Sequence, residues 1–236
     1  MSNAKPARED VLNIDGRKIC LRSHHHRKAR HMILRIDAKA DCVLLTLPRS
    51  VSYTSGIKFA REKSDWFIRR LDSLPPLTPF ADESLIPFQG EKLCIRYFPL
   101  AGAAPIFDQN ILYVPGPEHK MADSVRGWLR HEAQQLMATL SASKAEKIGR
   151  PPPPIRLNDP RSRWGSCSET GRINFSWRLI MAPKIVLEYV VAHEVAHLEE
   201  LNHGKQFEKI VRSLTENVDE ARDWLTEEGT GLLRYG

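Results

Sequence analysis

The chain has 236 residues, enough for one large domain or two small ones. With 42% hydrophobic and 27% charged residues it has a globular composition, and no apolar run approaches the ~18 residues of a membrane-spanning helix. The formal net charge of +6 lies entirely in residues 1–115, which carry 18 Lys+Arg against 12 Asp+Glu, while residues 116–236 carry 17 of each.

The polar start, MSNAKPARED, lacks the apolar core of a secretory signal. Next, VLNIDGRKICLR shows two alternating runs around Asp15-Gly16, a hairpin dipeptide. HMILRID and DCVLLTLP read as further strands, and Pro48 ends the last of them. Between them lies the densest basic stretch, RSHHHRKARH, at 22–31. It is read as a solvated hairpin or strand edge, with attraction of an acidic partner or nucleic acid as the alternative. His24, His25 and His26 alternate faces on a strand and make a poor preformed metal site.

Helical spacing follows in SYTSGIKFAREKSDWFIRRLDSL, with Ile57, Ala60, Phe67, Ile68 and Leu71 on one face until Pro75-Pro76. PPLTPFADESLIPFQG reads as a Pro-rich connector, and EKLCIRYFPL and NILYVPG as strands. A long helix is expected from Glu118 to Gly149, with Val125, Trp128, Leu129, Leu136 and Leu140 toward a core and Gly149 as its C-terminal stop. RPPPPIRL is a stiff break, and a hairpin around residues 169–171 joins RSRWGSCS to RINFSWRLI. Pro183 opens a helix expected to run to about Leu201, and two short helices finish the chain. No internal repeat is read. The class is α+β, with a β-rich basic region at 1–115 and a second region at 116–236. Cys20, Cys42, Cys94 and Cys167 form no CxxC pair and are read as buried reduced thiols of a cytoplasmic protein.

Chemistry concentrates in VVAHEVAHLEELNHGKQF, Val190 to Phe207. His193 and His197, four apart, project from one helix face and suit a shared cation. Glu194 between them is placed to take a proton from metal-activated water. His203 lies six residues past His197, so it reaches the same cation only if the helix ends in between. Asn202 and Gly204 are where that break is expected. The His-to-His gap equals that of the metzincin motif, but Glu200 replaces its glycine. Glu208 and Glu216, in the manner of gluzincins, are lower-ranked third ligands. Three neutral nitrogens, an open position and a carboxylate base describe a catalytic zinc site. Zn2+ is preferred, although cobalt, nickel or iron suit similar ligands. His131-Glu132 begins like the motif but is followed by Gln135, so it forms no ligand pair.

RWGSC at 163–167, INFSWRLIMAP at 173–183 and YVVAHEVAHLEELNHGKQF at 189–207 together resemble the YgjP-like predicted metal-dependent hydrolases, relatives of the SprT-like and WLM-type zincins. The resemblance implies a minimal zincin fold over 116–236: a long backing helix, a small sheet with a hairpin and the HExxH helix. It implies His193, His197 and His203 as zinc ligands, Glu194 as general base, and a peptidase-like activity on a peptide or protein substrate.

Three side residues are read beside this motif. Arg163 is a candidate for stabilising developing negative charge or binding a carboxylate or phosphate, with a buried ion pair as the alternative. Gly165 would permit close approach of a peptide backbone along the hairpin edge. Tyr189, one turn before His193, would donate to an oxyanion or pack in the core, and Trp164 and Trp177 are read as core residues. Metal-dependent nucleotide pyrophosphate hydrolysis is the second functional reading, with Arg163, Arg178 and the basic half holding phosphate. A nucleic-acid module built on the basic half, with or without a working metal site, is the third. No membrane partner is expected, and the oligomeric state is not legible.

Overall fold

The computed structural model describes residues 8–99, 103–160 and 163–236. The first seven residues, on which much of the reading of the N-terminus rests, lie outside them. The chain forms two compact units, 1–76 and 77–236. The expected division at 115/116 is therefore not where the units part: residues 77–115 share a core with the helices that follow them. Redrawn at 76/77, the charge asymmetry sharpens. The first unit holds 16 Lys+Arg against 8 Asp+Glu, net +8, and the second 19 against 21, net −2.

In the first unit, β1 (Arg8–Ile14), β2 (Arg17–His25), β3 (Ile33–Asp37) and β4 (Cys42–Leu47) form a sheet in the order β1-β2-β4-β3. Asp15 and Gly16, both at positive φ, make the two-residue turn of the first hairpin. β2 and β4 pair in parallel. Inward Leu12, Ile19, Leu21, Val43, Leu45 and Leu47 are covered by α1 (Tyr53–Glu62) and α2 (Ser64–Asp72) through Ala60, Phe67 and Leu71. The expected single helix is thus two, broken at Lys63. RSHHHRKARH begins on an interior strand and continues into the loop after it, not on an edge.

The expectation of four reduced thiols is corrected here. Cys20 and Cys42 face each other across the parallel pair and are joined as a disulfide, while Cys94 and Cys167 are free. Sequence spacing could not show this, because a parallel crossover sets residues 22 apart side by side.

The second unit begins with β5 (Leu85–Phe88), β6 (Glu91–Phe98), β7 (Ile106–Asp108) and β8 (Ile111–Pro115), in the order β5-β6-β8-β7. This is the first sheet again: antiparallel, parallel, antiparallel. The turn is again two residues at positive φ, Gln89 and Gly90. With an offset of 74, Leu12, Ile19 and Leu21 correspond to Ile86, Leu93 and Ile95, and Cys20 to Cys94. The surface ion pair Arg22–Glu9 corresponds to Arg96–Glu83. An internal repeat therefore exists, contrary to the reading of the sequence. It is carried by burial and register, with few identities.

α3 (Met121–Lys147) packs Val125, Leu129, Ala133 and Met137 into the core, with Trp128, Leu136 and Leu140 partly buried beside them. It ends as expected at Gly149, whose N–H bonds to Glu146 O while Arg150 N–H reaches Ala145 O. β9 (Ile155–Asn158), β10 (Gly165–Cys167) and β11 (Ile173–Ser176) form a three-stranded sheet in the order β10-β11-β9. The chain then passes through a 3-10 turn at Trp177–Met181 into α4 (Lys184–Ala196), α5 (Lys205–Leu214) and α6 (Val218–Glu227). α3 lies against α4 and against the 3-10 turn. α4 is apolar nearly all round, the pattern of a helix enclosed by its neighbours, and Glu194 is among its buried residues. The mixed α+β class stands.

Candidate metal centre

α4 ends at Ala196, with His197 as its C-cap, about a turn earlier than expected. The chain turns at once: Leu198 N–H bonds to Val195 O, and Glu199 and Glu200 N–H to Ala196 O. Neither Asn202 nor Gly204 adopts the left-handed conformation, so the break is not made the way the sequence suggested. Glu200 shapes it instead. Its carbonyl bonds to His197 Nδ1 at 3.1 Å and its carboxylate accepts from Asn202 N–H at 3.0 Å. The result is the one required: His203 swings back over the helix.

The ligand atoms of His193, His197 and His203 all lie within 4.8 Å of one another. His193 Nε2 and His203 Nε2 are 3.2 Å apart. Two nitrogens each ~2.0–2.1 Å from one tetrahedral ion stand at about this separation. The His197 Nδ1 contact to a carbonyl makes that nitrogen the N–H, which leaves Nε2 as the free lone pair. Burial, then the neighbouring imidazoles, push His193 down to about 4, and burial also lowers His197. Both rings are neutral at neutral pH, the state that metal binding requires. The donor set therefore fits a divalent transition-metal ion.

Phe207, on α5, supports the ring cluster from its apolar side. Its centroid lies 4.9, 4.6 and 4.7 Å from those of His193, His197 and His203. The sequence reading passed over Phe207. Its signal was a large apolar residue one turn after His203.

Glu194 is buried on α4, and its carboxyl is pushed up to about 7 by that burial. The Arg163 charge and a hydrogen bond from the Cys167 backbone pull the other way. Arg163 is exposed, so the buried ion pair weighed for it is absent. Gly165 lies directly against the Glu194 side chain. Burial, then the Glu194 charge, raises the Cys167 thiol to about 11, so it is a neutral lining group here.

Tyr189 is buried, and its hydroxyl accepts a hydrogen bond from Arg222 Nε at 2.9 Å. Arg222 also forks onto Glu208, at 3.0 and 2.6 Å, and Arg212 joins the same carboxylate. These contacts hold Glu208 below the usual carboxylate range. Glu208 is therefore an ion-pair partner outside the ligand cluster, and Glu216 is exposed outside it too. Trp177 is buried and Trp164 packs on the same core, as expected. Arg178 is buried over Trp177, paired with Asp159 at 2.6 Å, and donates to the carbonyls of Leu232 and Tyr235. With its donors engaged it is not available as the phosphate ligand that the nucleotide reading requires. His131 sits on α3, and His24 to His26 lie on or next to β2; neither group joins a metal cluster among the described residues.

An α+β unit that gathers three imidazoles around one point, with a buried carboxyl group beside them, belongs to the class of metal-dependent hydrolases. The chain is a member of the YgjP-like family: residues 30–228 match the YgjP-like metallopeptidase domain. A peptidase domain takes protein or peptide substrates. No curated protein and no solved structure matches the chain. Among the described residues no helix is long and apolar enough to cross a membrane.

Proposed function

We propose that the protein is a zinc-dependent peptidase in which His193, His197 and His203 hold the ion and Glu194 is the general base. The observation that carries this reading is the convergence of the three imidazoles with the buried Glu194 carboxyl one residue from the first of them. Zinc, when bound, supplies Lewis-acid polarisation of a carbonyl and acidification of water. The chain's own groups do the rest. With a proton affinity near neutrality, the Glu194 carboxylate can accept a proton and return it to a leaving amine. Arg163 supplies exposed positive charge near that carboxylate, suited to a substrate carboxylate or developing negative charge. β10 stands at the edge of its sheet, next to α4, where an extended peptide can add as a further strand.

The nucleotide reading loses Arg178 to its ion pair with Asp159, which favours the peptidase. The nucleic-acid reading keeps only the charge of the first unit.

Hydrolysis of a fluorogenic peptide panel and of casein, with and without chelator, tests the proposal. Glu194→Gln should keep the metal and lose turnover. His203→Ala should lose both, with more than the ~100-fold cost of removing a mere supporting residue. Full activity in Glu194→Gln, or unchanged metal content in His203→Ala, overturns the assignment.

A further inference from the structure

Residues 165 and 167 lie on the same face of β10, because side chains alternate along a strand. That face meets α4 at Glu194. A Cβ placed on Gly165 would come 2.5 Å from Glu194 Cγ, 2.5 Å from Oε1 and 2.7 Å from Cδ. Real Cβ atoms essentially never show such contacts, so an alanine there must displace the carboxyl group and the Cγ that bears it, the movable end of the Glu194 side chain. Two residues on, the Cys167 backbone hydrogen-bonds to the same side chain. Gly165 is not at positive φ, so it is not required for backbone conformation. What it provides is a missing side chain, and the space left by it is filled by the carboxylate.

We propose that Gly165 is a positioning residue for the general base. The strand offers a bare seat at 165 and a backbone donor at 167, and together they fix the direction in which the Glu194 carboxylate points. The inference rests on the reading of Glu194 as the base, and it gives Gly165 a role different from contact with substrate. A carboxylate on two rotatable side-chain bonds beyond Cβ has several rotamers. Held between the glycine face and the Cys167 N–H it has one, and displacements of ~1 Å at such a group cost about 100-fold in rate.

The test uses the full chain and three changes: Gly165→Ala, Glu194→Ala and both. In the metal-free protein, Gly165→Ala should lower the unfolding midpoint by roughly 2–10 °C when Glu194 is present, the range for one overpacked site in a domain of this size. It should have little effect once Glu194 is alanine. With metal loaded to the parent's content, Gly165→Ala should cut kcat for peptide hydrolysis by about 100-fold at unchanged KM. Combined with Glu194→Asp, which withdraws the carboxylate by one methylene, it should cost little beyond Glu194→Asp alone.

A stability loss independent of Glu194, or an unchanged kcat, overturns the proposal. If Gly165→Ala does not fold, folding of the pair with Glu194→Ala supports it, and failure of both overturns it. Glu194→Gln dead but Gly165→Ala fully active removes this inference and leaves the base intact. Glu194→Gln fully active removes the base itself.

Discussion

The first and second units open with the same four strands and diverge in what is attached to them. Each sheet has the order and pairing senses of the other, the same two-residue turn, and the same arginine–glutamate pair on its surface. In the first, the helices that follow close a small core, and a disulfide ties β2 to β4. In the second, the position equivalent to Cys42 is Ile111, so Cys94 stays a free thiol. There the turn is not left at the surface: Gln89 N–H bonds to Ile180 O, and Gly90 lies close to Pro183, where α4 begins. The strand motif is thus a neutral scaffold. It serves the chemistry where its turn braces the start of the histidine-bearing helix, and it forms a basic, covalently tied module where it does not.

That contrast can be broken at several strengths. The largest effect should come from Arg178→Ala, which removes a buried guanidinium from the Leu232 and Tyr235 carbonyls and from the solvent-accessible Asp159 carboxylate. Urea unfolding should show a loss of roughly 2–5 kcal/mol, chiefly from the two carbonyls that lose their donor, and a loss below ~1 kcal/mol would mean that the segment leading into α4 is not braced by this residue. Next comes the staple. Cys20→Ser with Cys42→Ser should cost about 3 kcal/mol, given the chain length it closes, while Cys94→Ser should do little. The mirror change, Ile111→Cys, should consume the Cys94 thiol in a new cross-strand bond. Titration of free thiols reads this directly, and an unreacted pair would refute the shared register. The smallest effect belongs to the repeated surface pair. Arg22→Ala and Arg96→Ala should each leave the urea midpoint almost unmoved, since both pairs are largely solvated.

Some of this was legible in advance. Asp15-Gly16 predicts its turn because few other dipeptides accept positive φ twice. Gly149 and Pro183 mark helix ends by the same kind of local steric rule. β5, β7 and β9 were missed: they are three or four residues long, and β5 and β9 follow proline-rich stretches that read as connectors. The repeat was missed because Gly16/Gly90, Lys18/Lys92, Cys20/Cys94 and Arg22/Arg96 are few identities to notice at 74 residues' distance. Their meaning lies in strand register, which pairing decides and composition does not.

The sequence by itself placed His193, Glu194 and His197 together: residues this close on one helix share a neighbourhood, because helix geometry is local. Only the tertiary structure decided how the third histidine returns, through an end to α4 set by His197 and Glu200 and not by Asn202. It also decided what surrounds Glu194. The seat at Gly165, the Cys167 backbone contact and Phe207 beneath the rings come from separate elements, and packing across elements has no signature in the spacing of any one of them.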